Sequence, residues 1–560
     1  MTDETHGDRY AGLTREALVE ILRRRDAQAH YGLVWERRDI DPDRGLNRDF
    51  VGLTLEPEHS CGRAPWSNLI IEGDNYDSLR ALVTHFSGRV KLIYIDPPYN
   101  TGSRDFVYND RFFDANDRFR HSTWIEFMFQ RLSLARELLS DDGAIFVSID
   151  DNEVFNLGLL MNQVFGESSR VATCIWQKRY SRENREAIGD AHEYLLVYSP
   201  NPDSFKKRRG HIPMTEKQAA VYKNPNNDPK GRWRSISLSA QGFRPNQMYE
   251  IRSPSGKRFR PPEGSCWKVV ETEYERLLSE GRIYFGKDGN ATPSRIRYLS
   301  EVEGVVPWTW WPHEEVGHTD EARKEIQSLF GTQTAFDTPK PVRLLRRVLE
   351  IGAPEKDALV LDFFAGSGTF GHAVLEMNKA DGGHRRFILA ANSERTAEEP
   401  DKNLCRDICA ARLRKVIEGY ESAKGDPVEG LGGSVGYLKA QPVPMHRLED
   451  GLTDEMVWGH ALLMADHPIV PLGGACSVSE HGGSRVVYCS DTKSATLAEL
   501  RKRLTGEYLP TAVFSWAPAR IRDLAASLDV PVTVVSVPED LRRIFRLGAA
   551  QIPARTEAEA

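Results

Sequence analysis

The stretch KLIYIDPPYNTG, Lys91 to Gly102, runs an unbroken apolar segment into an aspartate, two prolines and a tyrosine. A continuous apolar run bounded by turn residues reads as a strand covered on both faces, as in a parallel sheet with helices on either side. Asp96 follows that strand directly and is expected at the sheet's carboxyl edge, where open α/β sheets bind their ligands. Pro97 and Pro98 lock two successive φ angles and remove two backbone donors. What is left is a rigid corner of acceptors: fixed carbonyls, a carboxylate and the ring of Tyr99. Such a corner suits a flat molecule bearing an amine, whose N–H groups would donate to Asp96 and to the Pro97 carbonyl while Tyr99 stacks on its face. A nucleobase with an exocyclic amine fits; a rigid turn with a solvated acid is the plain alternative.

Upstream, NLIIEGD (68–74) is a short apolar strand ending in an acid, and YDSLRALVTHF is an amphipathic helix. Downstream, the polar residues 100–122 read as a loop, and a loop of that length inside a compact domain is usually functional or disordered. The helix HSTWIEFMFQRLSLARELL follows, with Thr123 and Glu126 spaced as a capping box and Asp142-Gly143 closing it before the strand AIFVSID (144–150). A further helix, NEVFNLGLLMNQVF, leads to VATCIWQ and HEYLLVYSP, two strands able to add an antiparallel edge. After residue 330 the rhythm resumes with a helix opened by Pro341, the strand ALVLDFF, the helix GTFGHAVLEMN, the strand RRFILAA (385–391) and the helix DKNLCRDICAARLRKVIEGY. Alternating strands and helices argue for an open, mainly parallel α/β sheet.

A second stretch, LVLDFFAGSGTFG, Leu359 to Gly371, places glycines between a strand and a helix. That arrangement sets backbone N–H groups and a helix N-terminus beside a ligand, and Gly366 and Gly368 let the chain turn tightly and approach it. Gly366, Gly368 and Gly371 also match the spacing GxGxxG, which makes a dinucleotide oxidoreductase the obvious competitor. Asp362, Phe363 and Phe364 stand where that fingerprint expects its first glycine, and the next strand ends in Ala391 and Asn392 where a ribose-binding acid is expected.

The chain has 560 residues, too many for one compact core. No apolar run approaches the roughly 18 residues of a membrane span, and the polar opening MTDETHGDRY is no secretory signal, so a cytoplasmic protein with no membrane partner is expected. Seven scattered cysteines form no CxxC pair, and no zinc set or other metal site is expected. Net charge is −7, yet residues 201–300 carry ten more Lys and Arg than Asp and Glu, leaving the remainder near −17. That basic stretch interleaves aromatics such as Trp233, Tyr249 and Trp267, the footprint of a nucleic-acid surface. The expected organisation is an N-terminal helical segment (1–60), whose helix runs to about His30, a first half-domain (61–200), an inserted domain (201–330), a second half-domain (331–425), a linker around 430–434 and a small separate C-terminal α/β domain (426–560) ending in a frayed ARTEAEA tail.

DPPYNTG and FAGSGT together resemble the motifs of amino-group DNA methyltransferases, and TPKP (338–341) resembles a third element of that family. The catalytic motif precedes the glycine loop, as in the beta class, whose target recognition domain lies between the halves. NLIIEGDNYDSL, HSTWIEFMFQRLSLARELLSDDGAIFVSIDDNE and WWPHEEVGHTDEA are similar to the modification subunits of Type III restriction–modification systems, over residues 31–200 and 305–425. The resemblance implies a Rossmann-like, doubly wound α/β sheet that is circularly permuted, with an inserted recognition domain. It implies S-adenosylmethionine as cofactor, with Phe364, Ala365, Gly366, Ser367, Gly368 and Thr369 around its methionine part, Asp362 orienting it and Asp74 contacting it. Ala391 departs from the usual acidic ribose contact, which would fall to a neighbour; Glu394 is the late substitute that the dinucleotide reading would need. Asp96, Pro97, Pro98 and Tyr99 would receive a flipped adenine for methylation at N6; Asp opens the motif, where the family's cytosine-N4 enzymes more often carry Ser. Arg232, Arg234, Arg258 and Arg260 of the insert are candidate DNA contacts, not rankable from sequence. The implied partners are double-stranded DNA, a helicase–nuclease restriction subunit and a second copy of the chain, in a nucleoid-associated protein. A solitary DNA or RNA methyltransferase and a non-catalytic specificity subunit are the competing readings.

Overall fold

The structure, a computed structural model, describes residues 14–15, 35, 47, 49–108, 111–114, 120–181, 187–394, 401–506 and 508–541. Apart from Thr14 and Arg15, the helix expected before His30 lies outside these residues, as does the terminal ARTEAEA. The chain divides into two compact units, Gly210–Trp308 and the rest. Among the described residues no helix is long and apolar enough to cross a membrane.

The larger unit is built on one sheet of ten strands: β1 (Phe50–Leu55), β2 (Leu69–Glu72), β3 (Val90–Ile95), β4 (Leu139–Ile149), β5 (Arg170–Gln177), β6 (His192–Tyr198), β7 (Trp310–Trp311), β8 (Leu359–Asp362), β9 (Arg386–Ala391) and β10 (Gly436–Val443). Their spatial order is β1-β10-β2-β9-β8-β3-β4-β6-β5-β7. From β10 to β4 all neighbours are parallel. β1 is antiparallel at one edge, and β6 runs antiparallel between β4 and β5. The two quoted strands are direct neighbours: Val360 pairs with Leu92 and Leu361 with Ile93.

The central strands are mainly apolar between their ends because helices cover both faces. Alternate side chains serve alternate layers. Ile93, Ile95, Leu361 and Ile388 join the core formed with helices Asn75–Phe86, Arg120–Leu138 and Val154–Phe165. On the other face Tyr94 meets Phe370 of helix Thr369–Asp381 at 5.5 Å between ring centroids. There Gly352, ending helix Val342–Gly352, lets that helix approach so closely that a Cβ would lie 2.7 Å from Leu92. The result is the expected doubly wound α/β sheet.

Four local expectations change. The expected loop is not plain loop throughout: Ser103–Tyr108 pairs antiparallel with Arg111–Asp114. Thr123 and Glu126 are no capping box, because the helix already runs from Arg120; Glu126 is buried and accepts from Trp35 Nε1 (2.7 Å) and Gln130 Nε2 (3.1 Å). The boundary expected at residue 425 cuts the main sheet, since β10 pairs with β2 and the 430–434 segment leads straight into it. The C-terminal sheet, Cys476–His481, Ser484–Cys489, Thr511–Ser515 and Val532–Ser536, has its own four strands. It is not set apart as a separate domain, however, because Val486, Tyr488 and Phe514 share one hydrophobic core with Trp458 and Leu462.

The smaller unit, Gly210–Trp308, is narrower than the insert expected over 201–330. A three-stranded antiparallel sheet joins Ile283–Tyr284, Ser294–Tyr298 and Trp233–Ser237, and small cores form around Trp267 and Tyr274 and around Trp233 and Tyr298. Several of its expected surface aromatics are therefore core. Arg234 lies 5.1 Å from the Tyr222 ring centroid, while Arg258 and Arg260 are exposed and reach Glu250 at 3.4 and 3.6 Å.

Candidate active site

Parallel neighbours β2, β9, β8 and β3 end on one edge, so their last residues form a contiguous rim. Along it stand Asp74 just beyond β2, Ala391 at the end of β9, Asp362 at the end of β8 and Asp96 just beyond β3. β6, being antiparallel, begins on that same edge and brings Glu193 to it.

The DPPY corner is built as its prolines suggest. The Pro98 carbonyl accepts from the indole of buried Trp124 at 2.7 Å. The Pro97 carbonyl accepts no hydrogen bond from the described residues, so one acceptor of the corner is structural and the other is open. Asp96 accepts from Lys340 Nζ on Oδ1 (2.8 Å) and Oδ2 (2.7 Å), and from the Tyr99 hydroxyl on Oδ1 (2.9 Å). A carboxylate has about four lone-pair positions; three are filled and one remains. Tyr99 lies 3.0 Å from Glu193 Oε2, and Lys340 lies 3.5 Å from the same oxygen. The ammonium sits 5.0 Å from the Tyr99 ring centroid and 5.9 Å from that of Trp176. Burial, with Glu193 adding, raises Asp96 above its ordinary range although Lys340 pulls it down. Burial alone would lower Lys340, but the two acids outweigh it and keep it an ammonium.

The glycine loop lies beside this corner. Gly366 and Gly368 both have positive φ, +48° and +73°. A Cβ at Gly366 would come within 2.9 Å of Phe336, and one at Gly368 within 3.0 Å of Cys409 Sγ. Ala365 accepts from Gly368 N at 2.7 Å and is buried. The hydroxyls of Ser367 and Thr369 are turned inward to Arg412, at 3.2 and 2.6 Å, leaving backbone as what the loop offers outward. Arg412 is itself fully buried and reaches Glu325 at 3.5 Å; burial lifts Glu325 to about 7 against the pull of Arg412. Glu325 also accepts from Val342 N, just past Lys340, so it ties the glycine loop to the segment carrying the lysine. Phe364 is half-buried, its ring 6.0 Å from Phe127. Gly368→Val should lower stability by about 1–3 kcal/mol, the cost of forcing a non-glycine residue into that backbone region. Calorimetric melting checks this, and an unchanged Tm would show that the turn relaxes freely.

Burial holds the Asp362 carboxyl well above the usual carboxylate range; Phe364 N–H opposes this at 2.9 Å and the nearby Asp96 charge adds to it. No cation is paired with it among the described residues, so it is suited to a positively charged ligand group. Asp74 caps helix Asn75–Phe86 through Tyr76 N (2.8 Å), meets Arg131 at 3.2 Å and remains half exposed. Ala391 accepts from Gly73 N at 3.0 Å and offers no charge. Glu394 is exposed, has φ +52° and pairs with Lys402 at 3.3 Å.

The fold thus brings together Asp96, Pro97, Pro98, Tyr99, Asp362 and the loop Phe364–Thr369, with Asp74 further along the rim. Sequence reasoning missed Lys340, Glu193 and Arg412. Lys340 had a visible signal, a lysine clamped between two prolines in TPKP, but no role was read from it. Glu193 and Arg412 had none, since each is one charged residue at an ordinary place in its strand or helix.

A family model described as DNA methylase matches residues 90–397. The Mod subunit of the Type III restriction-modification enzyme StyLTI of Salmonella typhimurium is 37% identical over 384 residues, covering 62% of this chain and 57% of that protein. The EcoPI Mod subunit of Escherichia phage P1 is 31% identical, covering 69% of this chain and 68% of that protein. The chain therefore spans less than two thirds of the Salmonella relative's length. The solved structure of PvuII DNA methyltransferase (cytosine-N4-specific) is similar at a TM-score of 0.31 and 14% identity, over 62% of this chain and 90% of that one.

Proposed function

The chain belongs to the DNA methylase family, and on that premise we propose that it transfers a methyl group from S-adenosylmethionine to the exocyclic N6 amine of an adenine flipped out of double-stranded DNA. The observation that carries the reading is the pairing of β3 with β8, which sets an acceptor corner and a glycine loop side by side. The site residues suit S-adenosylmethionine: Asp362 is a buried acid suited to a cation, and Gly366 and Gly368 leave a cradle that a Cβ would fill. Asp362, Asp74 and the backbone of residues 364–369 would hold the cofactor, which supplies an electrophilic methyl when bound.

The chain's own residues do the rest by position and charge. The Pro97 carbonyl and the remaining lone pair of Asp96 accept the two amine N–H groups, which turns the nitrogen lone pair outward. Positive charge grows on the nitrogen as it is alkylated, and the Asp96 carboxylate lies against it in a water-poor site. Asp96 takes the released proton, directly or through water. Tyr99 stacks on the base and offsets part of the few kcal/mol spent on flipping.

The Type III relatives support a modification subunit that works with a helicase–nuclease and reads DNA through the 210–308 unit. Homodimerisation and nucleoid association extend the proposal. Expression in a methylation-free bacterial host followed by nucleoside mass spectrometry should show N6-methyladenine. N4-methylcytosine would keep the mechanism and overturn the base assignment. No methylated base from a folded protein that binds S-adenosylmethionine would favour a silent specificity subunit or an RNA substrate.

A further inference from the structure

Six of the seven cysteines are buried, all but Cys476, and burial lifts Cys174 and Cys405 to about 12. Two of the seven, partly exposed Cys476 and buried Cys489, form a pair. They lie directly opposite one another on the antiparallel strands Cys476–His481 and Ser484–Cys489. The adjoining position carries the ladder bond, Ser490 N donating to the Ala475 carbonyl at 3.0 Å. The cysteines therefore occupy a non-hydrogen-bonded pair, the one whose Cα atoms approach to about 4.5 Å. That spacing lies within the range a disulfide requires, about 4.4–6.8 Å. Their side chains face each other on one side of the sheet. Cys476 is partly exposed on a strand that, among the described residues, has a neighbour on one side alone, while Cys489 is buried.

We propose that Cys476 and Cys489 are a redox modification site that closes to a cross-strand disulfide on reaction with a hydroperoxide. The division of labour follows from burial and charge. The adjacent Cys489 thiol lowers the Cys476 thiol against burial, and Arg503 favours its thiolate while Glu499 opposes it. An accessible thiol of lowered pKa beside a resolving cysteine is the arrangement of peroxide-sensitive sites. The Cys476 thiolate attacks one oxygen of hydrogen peroxide, the O–O bond breaks, and a sulfenic acid forms as the departing hydroxide takes up a solvent proton and leaves as water. The Cys489 sulfur then attacks the sulfenic sulfur, the S–O bond breaks, and its hydroxyl leaves as a second water with the Cys489 proton. Two thiols lose two electrons in all and the hydroperoxide gains them. The product ties the edge strand of the C-terminal sheet to its neighbour; an exposed edge is otherwise held by hydrogen bonds on one side alone.

The test treats the full chain with hydrogen peroxide, alkylates remaining thiols and maps the peptides by mass spectrometry. The expected result is one linked peptide joining Cys476 to Cys489, loss of two alkylatable thiols, and full reversal by dithiothreitol. In Cys489→Ser the intermediate should persist and be trapped on Cys476 by dimedone; if that variant does not fold, the wild-type linkage decides. Both thiols still alkylated, Cys476 carried on to sulfinic acid in the wild type, or a link between two chains would each overturn the proposal.

Discussion

Asp96→Asn should abolish methyl transfer, with a fall in single-turnover rate of roughly 10³-fold, the size expected when a charge-stabilising group is removed from a preorganised site. The amide keeps the shape but removes the negative charge that faces the alkylating nitrogen. It also places an NH₂ group among donors, against Lys340 and Tyr99. Cofactor affinity should change little, because the glycine loop and Asp362 lie on the neighbouring strand β8. Single-turnover transfer of labelled methyl, beside calorimetric titration with S-adenosylmethionine, separates the two. A fall of less than tenfold would move the charge-stabilising role to Glu193, the other acid on the Tyr99 hydroxyl.

Lys340→Met should have the next largest effect, and its signature is a shift with pH. The wild-type lysine lowers the Asp96 pKa against burial and the charge of Glu193, which raise it. Without it, desolvation and the Asp96–Glu193 repulsion act unopposed, so the Asp96 pKa rises further. The acidic limb of the rate profile should therefore move to higher pH, with transfer at neutral pH falling by roughly 10²-fold. Removing one member of a buried ion pair should also lower stability by about 3 kcal/mol near neutral pH, and less in acid, where the stranded Asp96 carboxyl takes up a proton. Lys340→Arg should restore the position of the limb, since it keeps the charge. An unshifted limb in Lys340→Met, with the protein folded, would show that Asp96 is ionised without help.

Much of the site was legible because its parts are local. In the DPPY corner the acid, the two locked φ angles and the ring are consecutive residues, so their relation hardly depends on the rest of the fold. The glycine loop is the same kind of object: Gly366 and Gly368 adopt positive φ where the sequence asks for a turn. The expected inward or outward roles of its side chains were less accessible. Ser367 and Thr369 looked like ligand contacts, yet their hydroxyls point to Arg412, which arrives from a helix more than forty residues downstream.

By itself the sequence determined the alternation of strands and helices, the two motif turns at strand ends, the basic character of the insert and the order of the motifs. Those are consequences of period, steric restriction and composition, which neighbouring residues decide among themselves. The tertiary structure alone decided that β3 and β8 are neighbours, that β10 closes the sheet beyond the expected boundary, and that Lys340 and Glu193 converge on Asp96. Strand pairing and buried ion pairs join residues hundreds of positions apart, and their energies arise only when desolvation and charge meet at one point in space.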